Sequence, residues 1–529
     1  MTIDTTFPWL TVLVVVPLIG ALVLWALPSG RLKLARPVAL GFSLVELVVL
    51  ALAIGAFDTS RSGVQQLTEM HEWIPQIGAS YALGVDGVAL LLVALSVLLV
   101  PLVIGAAWRE QGVTDGETGS DVALNGARRL RHYLALVLLV EMFMVLIFTA
   151  RDVFLFYVVF EAMLIPVYFM IGGFGEGARR RYAAIKFLIF SLAGGLVMLV
   201  AVIALYTQGP GGEQGFLTAN LVGLQMAPTT ERLLFLGFFL AFAIKAPMFP
   251  VHSWLPDAAE HAPAGTSVLL VGVLDKVGTF GMLTLCLPLF PNASRWAAPV
   301  IIVLAVVSIL YGALLALGQK DLMRLIAYTS VSHFGVIILG IFAFTEVSTA
   351  GASFYMFNHG ISTGLLFLLA GFIIARSPSG KSRTIADFGG LAKVTPILAG
   401  TFLVAGLSAL SLPGLSPFIS EIMVFIGTFQ TNSVAAIVSA FVVILAALYI
   451  LVTYQRIFTG PVRDELSATP DLSGREKWVV APLIAVLLIF GFYPGPALDL
   501  VRAPASISVA TVVGSDMTIL DESTDGSDS

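Results

Sequence analysis

Residues 242–257 read FAIKAPMFPVHSWLPD and set a charged amine, Lys245, in an apolar run two positions before Pro247 and five before Pro250. Proline removes an amide donor and crowds the preceding turn, so it ends or kinks a helix. Lipid does not satisfy the backbone groups freed in this way; they are tolerated at membrane depth only where surrounding protein encloses them. The stretch therefore predicts a helix broken inside a bundle of membrane helices.

The rest of the chain supplies that bundle. Hydrophobic residues make up 58% of the 529 residues and charged residues 12%, and the mean hydropathy is +0.96, outside the soluble globular range. Apolar runs of the ~20 residues needed to cross a ~30 Å hydrocarbon core recur from end to end, leaving no room for a soluble domain. The expected fold is an all-α polytopic membrane protein. A spanning-length window finds fourteen candidate helices, at approximately 8–27, 37–57, 84–108, 130–149, 152–172, 182–206, 231–254, 262–289, 295–317, 320–342, 350–375, 393–430, 434–459 and 476–500. The run 393–430 is too long for one crossing and carries Pro413, Gly414 and Pro417 in its middle, which predicts a second broken helix.

The two breaks fall in the seventh and twelfth helices, five crossings apart. Helices four to eight and nine to thirteen then read as two five-helix repeats, and an odd number of crossings per unit inverts the second relative to the first. Paired interrupted helices at corresponding positions point to a transport site at the bilayer midplane. The segments follow as 1–129, an N-terminal three-helix part; 130–289 and 295–459, the two repeats; 460–500, a C-terminal helix; and 501–529, a polar acidic tail, expected to be disordered over 516–529.

Basic residues orient the chain. One set of alternate loops holds 20 of the 28 Lys and Arg residues, from Arg31, Lys33 and Arg36 through Arg109, Arg128, Arg129 and Arg131 to Arg475 and Lys477. The opposite set and the termini hold only Arg61, Arg151, Arg232, Arg295 and Arg502. The positive-inside rule places the first set in the cytoplasm and both termini outside, the parity that fourteen crossings require. MTIDTTFPWL has no positive n-region or cleavage site, so the first apolar run is expected to be retained. The single cysteine, Cys286, excludes a disulfide framework or a cysteine-built cluster. GGFGEG at 172–177 follows a membrane helix, not a strand, and lacks the dinucleotide-binding spacing, so it reads as a tight turn. The driving energy must come from another polypeptide or an ion gradient.

Ionisable side chains in the hydrocarbon cost about 2.5–3.5 kcal/mol each on insertion scales, so each needs a partner, water or a function. The candidates are Glu141, Glu161, Lys245, Asp275, Lys276, His333, His359 and Glu421. Asp275 and Lys276 are adjacent and point ~100° apart on a helix, so they do not share a face. A buried Glu–Lys pair also serves simply to lock a fold, and a lone membrane histidine is often satisfied by a carbonyl. As a set, however, these acids, amines and imidazoles in successive helices form groups able to hand a proton across a protein. Lys186, five residues after Arg181, is expected to snorkel to the cytoplasmic rim, and His252 and Asp257 to belong to that rim.

FLFYVVFEAMLIPVYFMIG, AFAIKAPMFPVHSWLPDAAEHAP, DKVGTFGM, KDLMRLIAYTSVSHFGVI, NHGISTGLLFLLAG and LSLPGLSPFISE together resemble the antiporter-like M subunit, or chain 4, of proton-pumping NADH:quinone oxidoreductase, respiratory complex I. The likeness runs over nearly the whole chain. Glu421 at the second break resembles the M type, whereas the related L and N types typically carry lysine there. The resemblance implies that Glu161 and Lys245 form a coupled pair, that Lys276, His333 and His359 form a central relay, and that Glu421 is the terminal exchange site, with Glu141 and Asp275 secondary. Asp275 departs from the family, standing where relatives often have an apolar residue, as does SPFISE, which replaces a more glycine-rich lead-in. No cofactor is implied in this chain; FMN, iron–sulfur clusters, NADH and quinone are expected in partner subunits. The expected partners are the other complex I membrane subunits, with L- and N-type neighbours, and the lipid bilayer, with no nucleic acid. The expected location is a bacterial inner membrane rather than a mitochondrial one. A subunit of a multisubunit Na⁺/H⁺ antiporter or membrane-bound hydrogenase stays open as an alternative, as does a scaffold whose charges only hold helices together.

Overall fold

In the computed structural model, residues 7–107 and 120–524 are described, with side chains over 7–107 and 125–514. Arg109, the first six residues and the last five of the acidic tail lie outside the described residues. The chain is mostly helical. After α1 (Trp9–Ala26) and α2 (Ala35–Ala56) comes a hairpin of β1 (Gln66–Ile74) and β2 (Ala79–Val85), then α3 (Gly87–Ala106), α4 (Ser120–Thr149), α5 (Val153–Ala162), α6 (Leu164–Phe174) and α7 (Arg180–Gln208). A short α8 (Thr218–Leu221) leads to α9 (Pro228–Lys245) and α10 (Trp254–His261). Next are α11 (Ala264–Leu269), α12 (Lys276–Gly281) and α13 (Leu287–Leu289), joined through π turns at Leu270–Leu274 and Met282–Cys286. The remainder is α14 (Pro291–Leu317), α15 (Leu322–Phe342), α16 (Glu346–Ile374), α17 (Pro396–Ala409), α18 (Ser416–Thr431), α19 (Ser433–Ala440), α20 (Val442–Phe458), α21 (Gly474–Phe492) and α22 (Gly495–Thr524).

Among the described residues, 12 helical stretches are long and apolar enough to cross a membrane. Three of the fourteen expected spans are not among them, for physical reasons. Within 18 residues α9 carries Glu231, Arg232 and Lys245; α17 and α18 are each too short alone; and α21 opens on Arg475, Glu476 and Lys477. Conversely, the chain past residue 500 is not the polar tail expected. Its small apolar residues continue α22, and Gly495–Gly514 is itself one of the 12 stretches. The protein is also not wholly helical. The antiparallel hairpin pairs Glu69 with Leu83 and His71 with Tyr81, and it turns at Gly78, whose φ of 79° suits a residue without a Cβ.

α16 is buried along its whole spanning length, and α15 and the α11–α13 rod nearly so. These helices with α3 form the interior. The outer faces of α7, α14 and α20 instead present large apolar residues such as Val200, Val303 and Ile444, the pattern of helices that face lipid.

Both breaks occur where the prolines put them. After Lys245 the backbone leaves helical geometry at Ala246 (φ −86°, ψ 47°), Phe249–Pro250 is cis, and the helix restarts at Trp254. The Trp254 indole donates to the Ile244 carbonyl oxygen at 2.9 Å, satisfying one of the acceptors freed by the break. Between α17 and α18 the chain passes through Ser411 (φ 56°) and Gly414 (φ 94°). Gly491 of α21 packs on the Gly414 carbonyl, where a side chain would collide.

Candidate functional site

The ionisable residues singled out in the sequence converge on the buried interior. Lys245 closes α9 and is 1% exposed. Its ammonium lies 5.1 Å from the Phe160 ring centroid and 5.8 Å from that of Phe187, so aromatic faces stand in for part of its lost hydration. The expected contact between Glu161 and Lys245 is not a salt bridge. The two act on each other through the field, while the Glu161 carboxylate rests against Gly195 of α7 and keeps Oε1 buried without a hydrogen-bond partner. A Cβ on Gly195 would occupy the space of that carboxylate, so Gly195 is what seats it.

Beyond Lys245 the groups touch. Lys276 is fully buried; its Nζ donates to the Val271 carbonyl oxygen at 2.6 Å and lies 2.7 Å from His359 Nδ1 and 5.1 Å from the Phe334 ring centroid. The π turn before it explains the first contact, because widening the helix by one residue frees carbonyls from the regular ladder. The rings of His359 and His333 are 5.3 Å apart, each with a buried Nε2 that has no partner. His333 Nδ1 is 2.7 Å from the Tyr355 hydroxyl. Tyr355 donates to Glu421 Oε2 at 2.8 Å, and Ser411, from the break between α17 and α18, donates to the same oxygen. From Lys276 to Glu421 the path is thus unbroken apart from one imidazole-to-imidazole step.

Tyr355 was not anticipated from the sequence. The signal was present, since it precedes His359 by four residues and residues i and i+4 share a helix face. Ser411 and the buried Tyr449, whose hydroxyl has no hydrogen-bond partner and which feels the Glu421 charge, were also missed. Glu46 was missed although it met the same criterion as Glu141. It sits mid-way along α2, fully buried, and interacts with Glu141 of α4. That pair belongs to the N-terminal helices and is not joined to the Lys276–Glu421 path by any hydrogen bond among the described residues.

Lys186 and Asp257 meet in a partly exposed cluster, while His252 is buried against the rings of Phe249 and Tyr311. Lys186 Nζ donates to Asp257 Oδ2 at 2.7 Å and to the Ser253 carbonyl at 2.9 Å. Arg324 Nη1 donates to Asp257 Oδ1 and Glu260 Oε2, both at 2.6 Å. Nearby, Asp321 caps α15 by accepting the Arg324 amide at 2.8 Å. Burial pushes its carboxyl up to about 6 and the amide bond opposes that rise.

Residues 150–448 match the family described as NADH:quinone oxidoreductase/Mrp antiporter, TM. The chain belongs to this family. Subunit M of the NADH-quinone oxidoreductase of Mycobacterium tuberculosis is 47% identical over 96% of this chain and 95% of its own length. The subunit of the same name from Rhodobacter capsulatus is 37% identical, over 93% and 94%. Among solved structures, a chain of respiratory complex I from Thermus thermophilus with bound NADH superposes with a TM-score of 0.83 at 30% identity, covering 95% of this chain and 99% of that one. A chain of the Mrp complex from Dietzia sp. DQ12-45-1b shares the fold, with a TM-score of 0.79 at 22% identity. Cys286 is buried, and among the described residues no group of three or more His, Cys, Asp or Glu residues is arranged to hold a metal ion.

Proposed function

We propose that this chain moves protons across a bacterial inner membrane as the M-type subunit of NADH:quinone oxidoreductase. The route runs from Glu161 through Lys245, Lys276, His359, His333 and Tyr355 to Glu421. The observation that carries the reading is the contact series from Lys276 Nζ to Glu421. Membership of the family and the Thermus complex I likeness favour the redox-driven enzyme over an antiporter. FMN, iron–sulfur clusters, NADH and quinone then belong to partner subunits, with L- and N-type subunits as membrane neighbours. Two inverted five-helix repeats are supported by the matching breaks after Lys245 and before Glu421, and fourteen crossings with both termini outside by the bias of Lys and Arg to alternate loops.

In this reading Glu161 is the switch. Its carboxylate near Lys245 stabilises the ammonium; withdrawn from it in a low-dielectric interior, the amine yields its proton toward Lys276. The imidazoles and the Tyr355 hydroxyl each accept one proton and release another, and Glu421 discharges to the far side. Each charge moved against the membrane potential costs about 2.3 kcal/mol per 100 mV, so quinone reduction elsewhere in the complex must drive the step. Lys245→Met and Glu161→Gln in the assembled complex are expected to lower the protons pumped per electron in membrane vesicles. An unchanged ratio in both variants refutes the route.

A further inference from the structure

Asp275 is a buried charged group, next in sequence to Lys276, that the route above does not use. It is fully buried, and neither carboxylate oxygen has a hydrogen-bond partner. An isolated carboxylate in such a place costs several kcal/mol unless other charges answer it. The helix faces identify those charges. Gly278, three residues after Asp275, presses onto the end of α9: a Cβ there would meet the Phe242 carbonyl oxygen and come within 2.6 Å of the Ala246 amide nitrogen. Gly281, three residues further, packs against the Phe242 ring, where a Cβ would lie 2.5 Å away. Residues three apart are neighbours on a helix surface, so Asp275 shares the side of Gly278, the one turned to the α9 break. Lys245 is the residue at that break. Lys276, the next residue along, is rotated ~100° from Asp275 and reaches the other way, to Val271 and His359 of α16. The charges that act on the Asp275 carboxylate are accordingly Lys276 and Lys245, and Lys245 in turn feels both Asp275 and Glu161.

We propose that Asp275 is the proton carrier between Lys245 and Lys276, a step that rests on the route proposed above. Lys245 has no hydrogen bond toward Lys276 among the described residues, whereas beyond Lys276 the groups follow in contact apart from the imidazole-to-imidazole step; a carboxylate between the two amines fills the unlinked stretch between them. The transfer balances. An Nζ–H bond of the Lys245 ammonium breaks as an O–H bond forms on Asp275, leaving a neutral amine and a neutral acid. That O–H bond then breaks as Lys276 Nζ takes the proton, restoring the carboxylate and leaving Lys276 as the ammonium beside His359. The carboxylate ends each cycle as it began, and the net movement is one positive charge from α9 to α12. Asp275 and Lys276 follow directly on a π turn, Leu270–Leu274, an irregular piece of helix of the kind common at functional sites.

The test uses the assembled complex in inverted membrane vesicles, with Asp275→Asn, Asp275→Glu and Lys245→Met compared to the parent. NADH-to-ferricyanide activity reports the amount of intact redox arm, and NADH-driven quinone reduction with its proton ratio reports coupling. Asp275→Asn, which holds the shape but carries no proton, is expected to slow coupled turnover about tenfold or more while ferricyanide activity stays, and Asp275→Glu to recover most of it. In parallel, the infrared difference spectrum of the parent between oxidised and reduced states, with ¹³C-labelled aspartate, is expected to show a carboxyl stretch that appears and disappears on turnover. That measurement stands even if Asp275→Asn fails to assemble. Full coupling in Asp275→Asn with coupling lost in Lys245→Met overturns the Asp275 carrier and leaves the route standing. Full coupling in both overturns the route itself. Absence of any aspartate carboxyl signal also overturns the carrier.

Discussion

Tyr355 is the residue on which the second half of the path depends. Its hydroxyl meets His333 Nδ1 at 2.7 Å and Glu421 at 2.8 Å, so it links an imidazole on α15 to a carboxylate on α18 that do not otherwise touch. Tyr355→Phe keeps the ring packing and removes only that link. Loss of a hydrogen bond to a charged group costs about 1.5–3 kcal/mol, so coupled turnover should fall roughly tenfold or more. Ferricyanide reduction by the same membranes should be unaffected. Turnover equal to that of the parent would place the proton path on another group, for which Ser411, the second donor to Glu421, is the nearest candidate.

At the scale of elements, the α11–α13 rod does the positioning. It reaches the break of α9 through two glycines and holds Lys276 against α16 through a π turn, so the same short element serves both halves of the path. Gly278 is the tighter of the two approaches, because the atoms a Cβ would meet are backbone rather than flexible side chain. Gly278→Ala should therefore cost about 1–3 kcal/mol through overpacking and shift Lys245 relative to Asp275. A lowered thermal midpoint of the purified complex together with reduced coupling would show both effects. Gly173, with open space around it, provides the control, and Gly173→Ala should leave both readings alone. The broken helices follow the same logic. Prolines stop the hydrogen-bond ladder, and the groups they free are answered locally, as Trp254 answers Ile244.

For the whole molecule, stability responds to pH through groups at the rims, where water reaches. Asp321 is held up to about 6 by burial at the start of α15, above the ordinary aspartate value near 3.9 in an unfolded chain. The folded state therefore binds the proton more readily, and its penalty for the charged form is fully present above about pH 6 and vanishes below about pH 4. Asp321→Asn keeps the helix cap, since asparagine accepts the same amide. The variant should raise the thermal midpoint at about pH 7.5 and give little or no gain at about pH 4. An equal gain at both values would mean that the charge is not the cause.

The membrane class, the two breaks and most of the buried ionisable residues were legible in the sequence. Hydropathy, proline placement and the rarity of charge in hydrocarbon are local properties, each readable within a window of about 20 residues. Glu46 was equally legible by that criterion and was passed over. The β1–β2 hairpin and the helical course past residue 500 were less so, because short alternating strands and small-residue helices give weak hydropathy signals. The partners of each charge were not legible at all. That Lys276 meets His359 at 2.7 Å, that Tyr355 joins His333 to Glu421, and that Glu161 stands off Lys245 without a salt bridge depend on which faces of distant helices pack together. Adjacent residues on a helix separate by ~100°, so the sequence determined that Asp275 and Lys276 point apart. Only the tertiary structure decided that Gly278, three residues along from Asp275, packs on the end of α9 beside Lys245.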